Sequence, residues 1–218
     1  MRKVCLTISK KGKAKFISHL DLYRALERSL RRALLPIVFT EGYNPHPKLS
    51  FLTALELGAT SDCEKAIIYL KEPLPLTQIQ ERLNLFLPDG IKVEDVSFLK
   101  NDEISADSSL FLLQIQLPEN ASKEAFEKAI EEFLSQPSFF IKRETKEKVK
   151  EIDLKQFVRK LKLSDFKEGK AMLSALIAIT PQGSVKPREL VQALNNFLPG
   201  LKLLQVHRKE LFLKEVSK

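Results

Sequence analysis

A short self-similarity constrains the fold more than any other feature of the chain. Leu83-Asn84-Leu85-Phe86-Leu87-Pro88-Asp89-Gly90-Ile91-Lys92-Val93 matches Leu194-Asn195-Asn196-Phe197-Leu198-Pro199-Gly200-Leu201-Lys202-Leu203, with Asp89 an extra residue, Leu85 against Asn196, and the remaining pairs identical or both aliphatic. In both copies Pro and Gly stop an amphipathic helix just before an apolar strand. A chain that uses one helix-to-strand junction twice reads as a doubled unit, and 218 residues suffice for two small domains.

The elements around each copy agree with doubling. Val4, Leu6 and Ile8 alternate with Cys5, Thr7 and Ser9, which predicts a strand buried on one side. Ser18 and Asp21 form a capping-box pattern, and Leu22, Leu26, Leu30 and Ala33 follow at helical spacing until Pro36. Ile37–Thr40 is expected as a short strand, Gly42–Lys48 as a loop, Lys65–Lys71 as a strand, Thr77–Leu87 as a helix and Gly90–Phe98 as a strand. That order is βαββαβ, the ferredoxin-like pattern. The polar stretch 101–109 reads as a junction between a basic N-terminal unit, 1–100, and a C-terminal unit, 110–218. The pattern then restarts with strand Phe111–Leu117, helix Ser122–Leu134 and strand Ser138–Arg143. A short extra helix over Asp153–Leu163, strand Ala171–Thr180, helix Pro187–Phe197 and a last strand or strand pair over Leu201–Leu213 follow. Lys142–Glu151 holds eight charges in ten residues and reads as a solvated strand pair. The predicted fold class is therefore α+β, two tandem ferredoxin-like units with antiparallel sheets.

Several functions are excluded early. No stretch approaches the roughly 18 apolar residues of a membrane helix, and the lysine-rich start builds no export signal, so a cytoplasmic protein with no membrane partner is expected. Cys5 and Cys63 stand far apart with no CxxC or Cys/His grouping, which argues against a zinc site, an iron-sulfur cluster or a disulfide framework. There is no Gly-rich phosphate loop, GxSxG elbow or HExxH. No metal and no cofactor is expected.

Charge is more informative. The whole chain carries +8, and residues 1–48 hold eleven Lys/Arg against three acids, so the remaining 170 residues are balanced at 25 of each sign. Advancing each residue of the first helix by 100° puts Arg24, Arg28, Arg31 and Arg32 opposite its apolar arc. Such a face can make bidentate contacts to phosphate or carboxylate groups, although a merely solvated helix face fits the same pattern. With Lys11, Lys13 and Lys15 before the helix, Ser18, His19 and Asp21 at its start, and Tyr43, Asn44, His46 and Lys48 in the following loop, these residues form a candidate anion or nucleic-acid site. Tyr43, in a Gly-Tyr-Asn-Pro loop, suits either stacking on a base or packing over the sheet edge. The loops Lys10–Ser18 and Gly42–Lys48 are expected to be neighbours, because the two strands they follow are parallel. His19 and His46 are the weak candidates for acid–base catalysis. His207 is a lone histidine on an expected strand.

KFISHLDLYRALERSLRRALLP, then EGYNPHPKLSF, then ALELG and Ser61, resembles the N-terminal signature of the radical SAM-linked protein family, a bacterial domain of unknown function. Its members are encoded beside, or fused to the end of, a radical SAM protein that also carries a cobalamin-binding-type domain. The resemblance covers about residues 14–61 closely, while the later strands and the His-Arg-x-Glu-Leu-Phe ending at Phe212 fit more loosely. It implies an association with a radical SAM protein rather than an activity. The chain has no CxxxCxxC, so it cannot hold the radical SAM cluster itself.

Together these features lead to the expectation of a non-enzymatic accessory protein that binds structured RNA, tRNA or rRNA, for a radical SAM modifying enzyme that carries the chemistry. A protein-interaction subunit docking on that enzyme, and a metal-independent RNA endonuclease of the CRISPR-processing type, are the alternatives. No DNA specificity is inferred.

Overall fold

The computed structural model describes residues 1–99, 104–144 and 149–215. Two compact units divide the chain: residues 1–106 together with the chain end from Leu213, and residues 107–212. The sheets are mostly antiparallel, and four α-helices pack on them among the described residues, so the class is α+β.

In the first unit, β1 (Arg2–Lys10) is followed by a 3-10 turn at Gly12–Phe16 and then by α1 (His19–Arg32). Ser18 caps α1: its Oγ accepts from the Asp21 N–H at 3.1 Å and donates to the Asp21 carboxylate at 2.6 Å. Leu22, Leu26 and Leu30 are buried beneath α1, each contributing about 2 kcal/mol by leaving water. They meet Val4, Leu6 and Ile8 of β1, and Ala66, Ile68 and Leu70 of β3 (Thr60–Leu70). α2 (Leu76–Asn84) adds Ile79 and Leu83, and β4 (Ile91–Phe98) adds Ile91 and Val93. The short β2 (Leu49–Phe51) pairs with β3, which gives the order β4-β1-β3-β2.

The expected strand at Ile37–Thr40 is corrected by this order. Ile37 makes only an isolated bridge to Leu70, and the second strand proper is β2, after the loop rather than before it. Residues 37–39 and 49–51 lie along the same edge of β3, since Val38 N–H donates to the Tyr69 carbonyl at 2.7 Å and Leu49 stands opposite Ile68. The loop is an excursion from that edge. It leaves and re-enters at one point, where Lys48 N–H donates to the Val38 carbonyl at 2.7 Å and Phe39 bridges Pro47.

The second unit runs β5 (Ile104–Gln116), α3 (Lys123–Ser135), β6 (Phe140–Glu144), β7 (Val149–Asp153), β8 (Val158–Lys167), β9 (Lys170–Ala178), α4 (Pro187–Leu194) and β10 (Lys202–Glu215). Its sheet order is β10-β5-β9-β8. β5 begins inside the polar stretch read as a junction, of which residues 101–103 lie outside the described residues. Ser138–Arg143, expected as a sheet strand, instead contributes β6, which pairs with β7 as a separate two-stranded ribbon. Within the expected strand pair at Lys142–Glu151, Lys142 stands opposite Glu151, while 145–148 fall outside the described residues.

The extra helix expected over Asp153–Leu163 is a second correction: only Leu154–Gln156 is helical, as a 3-10 turn, and β8 follows. Leu154, Phe157, Val158 and Leu161 are buried at helical spacing. Register shifts at Val158/Lys160 and Leu163/Asp165 interrupt the two-residue alternation and produce that imitation.

The repeated sequence is one structural device in both places. Asn84 accepts from Val93 N–H at 2.8 Å and donates to its carbonyl at 3.0 Å. Asn195 accepts from the Gly200 and Leu201 N–H groups at 2.9 Å and donates to the Leu201 carbonyl at 3.1 Å. In each case one amide ties the helix end to the start of the last strand. Gly90 and Gly200 turn the chain at φ +81° and +95°, and a Cβ on Gly90 would stand 2.5 Å from the Lys11 carbonyl.

Candidate nucleic-acid interface

α1 presents its arginines outward, as its pattern requires: Arg24, Arg28, Arg31 and Arg32 are all exposed. Their surroundings differ. Among the described residues Arg28 forms no ion pair, and Arg24 reaches only Asp21, at 3.8 Å. Arg31 donates to the Pro45 carbonyl at 2.8 Å and to Glu27 at 3.4 Å, and its guanidinium lies 5.0 Å over the Phe39 ring. Arg32 lies 4.8 Å over Phe86. Two arginines are thus exposed with little local engagement, and two are fastened at the C-terminal end of the helix.

Glu27 organises this end and was not among the residues picked from sequence. Its side chain is 16% exposed, and it accepts from His46 Nδ1 at 2.9 Å as well as from Arg31. Those hydrogen bonds, that from His46 foremost, hold the Glu27 carboxyl below the usual carboxylate range. A single acid on an arginine-rich face is easily read as noise. Its spacing of four residues before Arg31 was the available signal.

The loop from Thr40 to Lys48 is therefore docked on the second half of α1. Thr40 N–H donates to the His46 carbonyl at 2.8 Å, and His46 N–H donates to Thr40 Oγ1 at 3.0 Å. Tyr43 is fully exposed at the tip, with Asn44 exposed beside it, and Lys48 Nζ lies 4.8 Å over the Tyr69 ring.

The expected meeting of His19 and Asp21 with Asn44, His46 and Lys48 does not occur. His19 lies edge-on to Phe51 at 5.1 Å, whereas His46 contacts Glu27, eight residues and about 12 Å further along the helix. The rule that loops after parallel strands emerge together still holds. Because the second strand is Leu49–Phe51, the loop that joins Lys10–Ser18 is the one after it, and Gly58 N–H donates to the Lys15 carbonyl at 2.8 Å. The helix start is also already served by an anion, since Asp21 occupies it with its carboxyl lowered chiefly by the Ser18 hydroxyl.

The lysines before α1 divide likewise. Lys13 is exposed, Lys11 pairs with Asp62 at 3.0 Å, and Lys15 Nζ lies 5.0 Å over Phe16. Beneath them Lys10 is fully buried and donates to the Ile17 carbonyl at 2.9 Å and the Lys15 carbonyl at 3.5 Å. Burial lowers its pKa, against the pull of Glu64. Among the described residues no group of three His, Cys, Asp or Glu is placed to hold a metal, and no helix is long and apolar enough to cross a membrane.

Comparison with known families identifies the chain over most of its length. It belongs to the family described as "Uncharacterized protein conserved in bacteria (DUF2344)", which matches residues 3–187. Among curated proteins no sequence matches. Solved structures share the fold at very low identity. A chain of a Cbf5-Nop10-Gar1 complex superposes with TM-score 0.61 at 8% identity over 95% of this chain and 48% of its own length. One from an H/ACA RNP bound to a substrate RNA containing 2'-deoxyuridine gives 0.56 at 9%, over 95% and 47%. One from an archaeal box H/ACA sRNP Nop10-Cbf5 complex gives 0.51 at 9%, over 94% and 46%. The chain spans about half the length of these neighbours.

Proposed function

We propose that this protein is an RNA-binding accessory subunit whose contact surface is the arginine face of α1 together with the Thr40–Lys48 loop. One observation carries the proposal: the segment holding the entire net charge of +8 folds into one unit that exposes four arginines along one helix. Arginine forks suit phosphate oxygens, and the electrostatic part of such binding comes from the release of condensed counterions. The likeness to proteins solved in H/ACA RNA–protein complexes supports the same class of partner. Structured tRNA or rRNA is the proposed ligand, and a radical SAM modifying enzyme the proposed partner, the latter supported by the resemblance over residues 14–61. We infer further that both units are ferredoxin-like, in tandem, with β6–β7 inserted into the second; each strand order repeats the same arrangement around a central first strand.

Fluorescence anisotropy with labelled tRNA over a salt series tests the proposal. Affinity should fall linearly in log–log form, and Arg24→Ala with Arg28→Ala should lessen the slope by about two. Wild-type protein that shows no salt-dependent binding to tRNA or rRNA fragments defeats it. A protein-docking reading has its own observation: Phe16, Leu20 and Leu57 are exposed apolar residues around the Gly58–Lys15 contact. Copurification that survives nuclease and is lost in Leu20→Asp would favour it. The endonuclease reading has no comparable support, because His19 and His46 face different partners.

A further inference from the structure

We propose that Tyr43 is a stacking finger for an unpaired base, so that the RNA class recognised is a single-stranded loop or bulge beside a phosphate backbone held by α1. The proposal rests on the RNA-binding reading above and deepens it.

The geometry around the loop separates a rigid neck from a bare tip. At the neck, Thr40 N–H to the His46 carbonyl, Lys48 N–H to the Val38 carbonyl and the Phe39–Pro47 bridge close the loop on the sheet edge. Pro45 and Pro47 restrict the returning strand. Sideways, Arg31 holds the Pro45 carbonyl at 2.8 Å and Glu27 holds His46 at 2.9 Å, which fixes the loop against α1. Gly42, at φ +117°, makes the turn that only glycine adopts without strain, and it throws Tyr43 outward. Among the described residues no ring or cation lies against the Tyr43 ring, which is fully exposed. Nearby Phe39 and Phe86, by contrast, are covered by Arg31 and Arg32.

With the neck of the loop already fixed, stacking costs the ring its own rotamer freedom and little further backbone ordering at the neck. Single-stranded nucleic acid offers the matching chemistry, because every base has a π-face and the backbone is tracked by cations. Arg24 and Arg28 supply the cations on the adjacent helix face, and the Asn44 amide next to Tyr43 can donate to and accept from a base edge. A duplex keeps its faces stacked internally, so it can use the arginines but not the finger.

Anisotropy titrations of the full chain with two labelled probes test this: a stem–loop RNA, and a fully paired duplex of equal length. Tyr43→Ala should weaken stem–loop binding about tenfold or more with an unchanged salt slope, and leave duplex binding unaltered. Tyr43→Phe should restore stem–loop affinity, because the ring rather than the hydroxyl stacks. Arg28→Ala should weaken both probes and lessen the slope by about one. Equal losses on both probes in Tyr43→Ala, or no loss on the stem–loop while wild type binds it salt-dependently, overturn the stacking role alone. Absence of RNA binding by wild type overturns the RNA-binding reading and the finger with it.

Discussion

The first helices of the two units, α1 and α3, do the same packing with opposite surfaces. Each follows the central strand of its sheet, and each is capped by a serine, Ser18 or Ser122, that accepts from the backbone three residues on. Leu22, Ala25, Leu26 and Ser29 are buried in one, and Phe126, Ala129, Ile130 and Phe133 at the same spacing in the other. Outside, α1 sets four arginines against two acids, while α3 sets two lysines against four glutamates. In α3 the lysines are matched four residues on, Lys123 with Glu127 and Lys128 with Glu132, at 3.5 and 3.7 Å. A helix in this place therefore needs no basic face to fold. The arginines of α1 answer to something other than the core.

The comparison can be broken most directly by charge reversal. Arg24→Glu with Arg28→Glu should lower RNA affinity about 100-fold, or about 2.7 kcal/mol, with no change in Tm, whereas Lys123→Glu with Lys128→Glu should leave affinity unchanged. Equal losses from both helices would mean that net charge matters and place does not. Next in size, the paired junctions can be set against each other by urea unfolding. Asn84→Ala strands one backbone N–H and Asn195→Ala two, so each should cost about 1 to 3 kcal/mol, with Asn195→Ala the larger. Gly90→Ala should cost more than Gly200→Ala, because its Cβ meets a carbonyl oxygen at 2.5 Å rather than the Pro118 ring carbons at 3.3 Å.

A smaller effect isolates Glu27, the acid that anchors the loop on α1, whose place on α3 is taken by the exposed Glu131. Glu27→Gln should cost about 1 kcal/mol and speed amide exchange at Thr40 and Lys48, leaving the exchange of β1 alone. The carboxyl of Glu27 is lowered in the folded protein, so its stabilisation is present above the unfolded carboxylate value of about 4.3 and is lost as pH falls through the lower folded one. Acid titration of wild type and Glu27→Gln should show that difference vanishing in the acid range. Smallest of all, Glu127→Gln or Glu132→Gln should cost about 0.3 to 0.5 kcal/mol, as exposed helix pairs do.

What could be read from sequence follows from how regular the chemistry is. The four helices were legible because caps, prolines and apolar spacing agree, and β1, β4 and β9 because their alternation or apolar runs are unbroken; of β3 and β5 only the apolar second halves, from Lys65 and Phe111, could be read, and β10 stayed open as one strand or a pair. β8 was hidden by its bulges, which turn the spacing of Val158 and Leu161 into that of a helix. β2 was hidden because only three residues remain after a long excursion, too few for alternation to register. The residues of the candidate interface were picked out by their charge and motif, which carry no information on which of them are adjacent. Placing the second strand before the loop carried His46 to the wrong end of α1, and the hydrogen bonds of Glu27 could not be seen without that placement.

The Thr40–Lys48 excursion has a consequence for how this surface can change. Because it departs from and returns to neighbouring points on one sheet edge, its length and tip are uncoupled from the register of β2 on β3. Residues 41–44 can be lengthened, shortened or exchanged at a cost that grows only slowly with size. On the RNA-binding reading proposed above, the scaffold would carry an interchangeable reading head, whose ligand preference could drift or be re-engineered while the buried architecture stays constant.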